Sequence, residues 1–205
     1  MQDLGAATDD QVILAWLQAE IESPRFEEKY VGPWETAEDL AIVREIIAEP
    51  DLVDPAENFI RRTKLAVVRG FGWGQLLFRG LTNDVAWRRV KFTVGEIGNM
   101  RYARHPDWMA LAPNTRQVSE GAASVDAVQP PDKYAYILAL AQQIHENDPP
   151  PSFPEIICLR RPDGGMSVME GHGRATAYVK ELGKYPDGIE AYLGSGPSVA
   201  QWLYL

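Results

Sequence analysis

Apolar residues recur at helical spacing three times before residue 70. Val12, Ile13, Trp16, Leu17 and Ile21 share one face after Thr8 or Asp9, either of which suits a helix cap. Leu40, Val43, Ile46 and Ile47 repeat the pattern over residues 36–49 and Pro50 stops it. Asp54 and Pro55 then supply a cap and a first-turn proline for a third helix ending near Gly70. The glycines at 72, 74 and 80 break up an aromatic and aliphatic stretch that reads as a packed connector.

The period changes from residue 89. Val90, Phe92 and Val94 alternate with Arg89, Lys91 and Thr93, which predicts a half-buried strand over residues 89–97. Residues 98–129 have little periodicity, and a stretch of that length inside a folded unit is functional or contains short helices. Residues 132–146 return to helical spacing through Tyr136, Ile137, Leu140 and Ile144, and three prolines at 149–151 close the segment. Two short apolar runs, 155–159 and 166–169, flank Arg160-Arg161-Pro162-Asp163-Gly164-Gly165 and predict a β-hairpin. A helix over 175–182 with Gly183 as its C-cap, a strand over 189–193 and a last helix over 197–205 complete the reading. The expected class is α+β: a small mixed sheet in residues 86–205, preceded by a helical extension in residues 1–85.

Charge sharpens this division. The net charge of −9 is concentrated in front, where residues 1–60 carry 15 Asp and Glu against 3 Lys and Arg. At helical spacing most of these carboxylates fall on outer faces, so a solvated surface is expected, one that can also serve protein partners or self-association. Such a balance opposes nucleic-acid binding, which depends on neutralising phosphates with Lys and Arg. No stretch has the apolar length of a membrane span and the first residues lack a secretory pattern, so a cytoplasmic location is expected. The single cysteine, Cys158, sits in an apolar run and reads as a buried thiol. No His, Cys and carboxylate grouping has metal-ligand spacing. His105 before Pro106 reads as a loop histidine, and His145 near a helix end favours that end if protonated.

Two glycine motifs invite a ligand. Gly70-x-Gly72-x-Gly74 follows a predicted helix where a dinucleotide loop needs a strand, and is set aside. Glu170-Gly171-His172-Gly173-Arg174 instead joins a predicted strand to a predicted helix. Unpaired N–H groups and the positive dipole end gather at such a helix start, the glycines allow close approach, and Arg174 adds a fork of donors suited to phosphate. His172 can donate a hydrogen bond or reinforce the field if charged, and Thr176 is placed to help from the first turn.

This order of elements, a strand, a variable loop region, a helix, a strand, a turn, a strand, Gly-x-x-Arg and a helix, resembles the ParB/sulfiredoxin superfamily. Gly171, Arg174 and Ala177 match its Gly-[Glu/Cys/His]-x-Arg-x-x-Ala pattern over a segment of about 115 residues. The resemblance implies a ParB/sulfiredoxin-like topology and a nucleotide at the turn, ATP, ADP or CTP with magnesium, held by Glu170, Gly171, His172, Gly173, Arg174 and Thr176. Where sulfiredoxin has its reactive cysteine this chain has His172, which argues against sulfinic-acid reduction. Partition proteins carry a helix-turn-helix after the motif, and the short stretch beyond Arg174 argues against partition-type DNA binding. If the protein is an enzyme, the chemistry implied is phosphoryl transfer or nucleotide hydrolysis, with Glu96 and Glu120 as candidate base or magnesium ligand and Arg116 as a second phosphate contact. The alternative is a non-enzymatic interaction module of the same fold.

Overall fold

Two separate sets of apolar side chains pack against opposite faces of one five-stranded sheet. The computed structural model describes residues 1–21 and 36–205. In chain order the elements are β1 (Gln2–Ala7), α1 (Asp9–Ile21), α2 (Ala37–Ala48), α3 (Pro55–Arg69), β2 (Ala86–Phe92), α4 (Val94–Gly98), α5 (Pro106–Leu111), α6 (Val118–Ser124), α7 (Ala135–Glu146), β3 (Ile156–Arg160), β4 (Met166–Glu170), α8 (His172–Lys180) and β5 (Ile189–Ser195), with short 3-10 turns between them. The sheet order is β1-β2-β5-β3-β4; β3 and β5 run parallel and the other neighbours antiparallel. The protein is therefore α+β with a mixed sheet, as the sequence implied.

Strand alternation divides the core. Ile156, Cys158, Val168, Ala191 and Leu193 face one way, onto Tyr102, Leu111, Ile137, Ala175 and Tyr178. Ile157, Leu159, Met169 and Tyr192 face the other way, onto Trp16, Leu17, Val43, Ile47 and Leu65 of the first three helices. These helices close the second face of the sheet, so the regions before and after residue 85 share it. Cys158 is fully buried against the Met100 sulfur at 3.5 Å, and burial pushes its thiol far above the usual range.

The expected helices form where their caps stand. Thr8 and Gln11 exchange backbone-to-side-chain bonds at the start of α1, Thr36 and Asp39 form a capping box on α2, and Asp54 with Pro55 opens α3. Most described acidic residues of the front are exposed, among them Glu38, Asp39, Glu45, Glu49 and Asp51. Glu20 departs from this: it is buried and pairs with Arg69 of α3. Glu22, Glu27, Glu28 and Glu35 lie outside the described residues.

Four elements differ from the expectation, one being the helix expected over 175–182 with Gly183 as its C-cap, which spans His172–Lys180 and has Glu181 at its C-cap. Residues 2–7 form a strand, paired antiparallel with β2 and bulged at Gly5, whose φ is +123°. The strand expected over 89–97 spans Ala86–Phe92, because Thr93 and Glu96 make a capping box that turns the chain into α4. The final segment is a 3-10 turn at Pro197–Gln201 rather than a helix to the end. It is anchored by Asp84, which accepts from the Ser198 N–H at 2.8 Å, and by Trp202, whose Nε1 donates to the Leu77 carbonyl at 2.8 Å.

Candidate functional site

Strand β4 enters α8 through Gly171, whose φ of +87° lies in the left-handed region. A Cβ there would stand 2.8 Å from the Ile156 Cγ2 and 2.8 Å from the Arg174 Nη2. The Ala175 N–H donates to the Gly171 carbonyl at 2.8 Å to close the first helical turn, and α8 has no side-chain cap. The anticipated strand, glycine turn and helix are thus present in order, and Glu170, Gly171, His172, Gly173, Arg174 and Thr176 come together at the join.

Their side chains do different things. His172 is buried and points into the protein. Its ring stacks on Trp108 at 4.6 Å and 7°, and its Nε2 accepts from the Ala103 N–H at 3.2 Å. Burial first, then the neighbouring Arg174 and His105, bring its pKa down to about 3, so the imidazole is neutral and adds no positive field. Thr176 is fully buried; its hydroxyl donates to the His172 carbonyl at 2.7 Å and lies 2.7 Å from the Tyr102 hydroxyl. Gly173 is tight against Tyr136 of α7, where a Cβ would meet the ring Cε2 at 2.6 Å. Tyr136 itself is about half exposed, so an aromatic face borders the helix start.

Arg174 is the least satisfied member. Its side chain is only 11% exposed, yet its Nη2 is 3.5 Å from the Glu155 carbonyl and 4.0 Å from the Glu170 carboxylate. Its Nε is buried with no hydrogen-bond partner among the described residues. Burial raises the pKa of Glu170 despite Arg174, and the nearby Glu20 adds to that. A guanidinium held this loosely in a partly dry setting favours an incoming anion, because charge-assisted bonds gain strength where water is scarce.

The other three candidates lie apart from this turn in what they bind. Glu96 caps α4, accepting from the Thr93 N–H at 2.9 Å, and forms an ion pair with the Met1 amino group. Glu120 fastens a loop: it accepts from the Asn114 N–H at 3.0 Å, the Asn114 Nδ2 at 2.6 Å, the Thr115 N–H at 2.7 Å and the Thr115 hydroxyl at 2.6 Å. The Thr115 hydroxyl leads the bonds that hold its carboxyl well below the usual range. Arg116 has a φ of +62° and donates to the Tyr102 carbonyl at 2.6 Å and the Leu205 carbonyl at 3.2 Å.

Sequence reasoning did not identify Trp108, Tyr102 and Tyr136 as the walls of this turn. The usable signal was composition: large aromatic side chains in a stretch without period still require a place to be buried. No protein-family model, curated protein or solved structure matches the chain. Fold and site define an α+β protein in which a mixed sheet delivers an arginine-bearing glycine turn to a helix start.

Proposed function

We propose that this protein binds a nucleoside di- or triphosphate by its phosphates at the 170–174 turn, in a ParB/sulfiredoxin-like topology. The observation that carries the reading is Arg174: nearly buried, weakly paired and set in the first turn of a helix entered through a positive-φ glycine. The order of β2, a loop region, α7, β3, turn, β4, Gly-x-x-Arg and α8 supports the topology. In this reading the ligand meets main-chain N–H groups and Arg174, while His172 and Thr176 shape the turn from beneath. Tyr136 offers an aromatic face beside the phosphates.

Glu96 and Glu120 are committed to backbone groups and a loop, which favours binding over chemistry by either carboxylate. That same observation supports the second reading, an interaction module of this fold without catalysis. Among the described residues no three His, Cys, Asp or Glu side chains converge as metal ligands. A magnesium ion would then arrive on the phosphates and keep most of its waters, as magnesium commonly does.

Thermal unfolding with ATP, ADP and CTP in the presence of magnesium tests the proposal. A nucleotide at 100 times its dissociation constant stabilises by about 2.7 kcal/mol, a rise of roughly 5–10 °C for a chain this size. Arg174→Ala should fold and lose that rise. Absence of a rise with all three nucleotides overturns the reading.

A further inference from the structure

The edge of the sheet beside β4 carries a second concentration of positive charge. The 100–102 segment extends that edge: the Arg101 N–H donates to the Met166 carbonyl at 2.9 Å and the Val168 N–H to the Arg101 carbonyl at 2.8 Å. Arg101 bridges Ser167 on one side and Gln117 on the other. Arg116 is anchored next to it through the Tyr102 carbonyl, and Arg161 holds the β3–β4 turn by its N–H bond to the Gly165 carbonyl at 2.8 Å. Arg104 follows three residues on, its N–H donating to the Tyr204 carbonyl at 2.7 Å.

Charge and burial make this more than a set of surface arginines. Burial, followed by repulsion from Arg104, Arg101 and Arg161, lowers the pKa of Arg116, so Arg116 lies within the field of the other three. Arg161 is only 9% exposed; it pairs with Asp163, yet its Nη1 is buried without a partner among the described residues. The Arg116 Nε and the fully buried Ser167 hydroxyl are likewise without a partner there. Asp163 answers one of these charges, and a further anion at the exposed Arg101 and Arg104 would relieve the repulsion among the rest.

We propose that Arg101, Arg104, Arg116 and Arg161 form a site for a compact multivalent phosphate anion, distinct from the 170–174 turn. A small ligand fits better than a nucleic-acid strand, because a chain of net charge −9 repels an extended polyanion beyond the cluster. The two sites lie toward opposite ends of β4: Ser167 and Gly171 are four residues apart, about 13 Å along a strand. The inference therefore does not depend on the nucleotide reading.

Inorganic pyrophosphate is the probe, titrated by calorimetry into the full chain, into Arg101→Gln, Arg104→Gln and their double variant, and into Arg174→Ala. Both arginines are exposed, so the variants should fold. The expected result is roughly tenfold weaker binding for each single variant, the loss of one charge-assisted bond, with Arg174→Ala binding as the unaltered protein does. Unchanged affinity in the double variant, or loss in Arg174→Ala alone, overturns the proposal. Should the double variant not fold, modification of the unaltered protein by phenylglyoxal decides: pyrophosphate should shield Arg101 and Arg104, and equal labelling with and without it overturns the site. A single-stranded oligonucleotide that displaces pyrophosphate at equal phosphate concentration overturns the choice of a compact ligand.

Discussion

The His172 imidazole lies flat against the Trp108 indole, 4.6 Å between centroids and 7° between planes, with its Nε2 accepting the Ala103 N–H. One stack and one hydrogen bond thereby join the start of α8 to the long segment between β2 and α7. The histidine is part of the support under the glycine turn, and it serves there only as a neutral ring.

This gives the protein a pH dependence of definite sign. In the unfolded chain His172 takes up a proton near pH 6.5, whereas in the folded protein burial, with Arg174 and His105 nearby, holds its pKa at about 3. Between those values the unfolded state binds more protons, so stability is complete above about pH 6.5 and is lost as pH falls toward 3. At pH 5 the loss from this group is about 2 kcal/mol, or roughly 4–8 °C in Tm. His172→Gln should lower Tm at pH 7.5 but flatten its fall between pH 6.5 and 5. An equally steep fall in the variant would assign the acid sensitivity to other groups.

Gly171→Ala tests the turn itself. The added methyl must adopt a φ of +87° and would stand 2.8 Å from both Ile156 and Arg174. Backbone conformation alone costs about 1–2 kcal/mol, and displacement of neighbours adds to it. The expected outcome is a Tm lowered by at least about 3 °C together with weakened nucleotide binding, since the methyl moves the Arg174 guanidinium. A variant as stable as the parent would mean that the turn relaxes at no cost.

Legibility in the sequence followed the range of the interactions involved. α3 was visible because Asp54, Pro55 and Gly70 act within their own turns, and the β3–β4 hairpin because its turn residues lie between its strands. β1 was not, since Gln-Asp-Leu-Gly-Ala-Ala has little strand preference and owes its form to β2, more than 80 residues away. α4 had a local sign, Thr93-x-x-Glu96, which the apolar alternation running through Val94 concealed. The same division holds at the site. Gly171 and Arg174 can be read from a short motif, whereas the burial of His172 depends on Trp108, 64 residues earlier in the chain. Buried charge is the hardest to read, because Glu20 and Arg61 look like any surface residue of a charged helix until the packing is known.

Arg61 shows what such a charge contributes. It is 1% exposed, and its fork donates to the Ile46 carbonyl at 2.7 Å, the Asp51 carbonyl at 2.8 Å, the Asn58 Oδ1 at 2.8 Å and the Glu57 Oε2 at 2.8 Å. Ile46 belongs to the last turn of α2, whose carbonyls have no partner within the helix, so Arg61 caps α2 from α3 and fixes the bend between them. Arg61→Met keeps much of the stem's packing but takes the donor from two carbonyls and the Asn58 Oδ1 and leaves the Glu57 carboxylate with the Asp51 N–H. Removing one partner of a buried pair costs about 3–5 kcal/mol, which at 2–4 °C per kcal/mol lowers Tm by roughly 10 °C. Arg61→Lys should fall between the two, because a single ammonium cannot span groups set for a planar fork. Urea unfolding checks this by a fall in midpoint at constant slope. A midpoint unchanged in Arg61→Met would show that α2 and α3 are held by Val43, Ile47 and Leu65 alone.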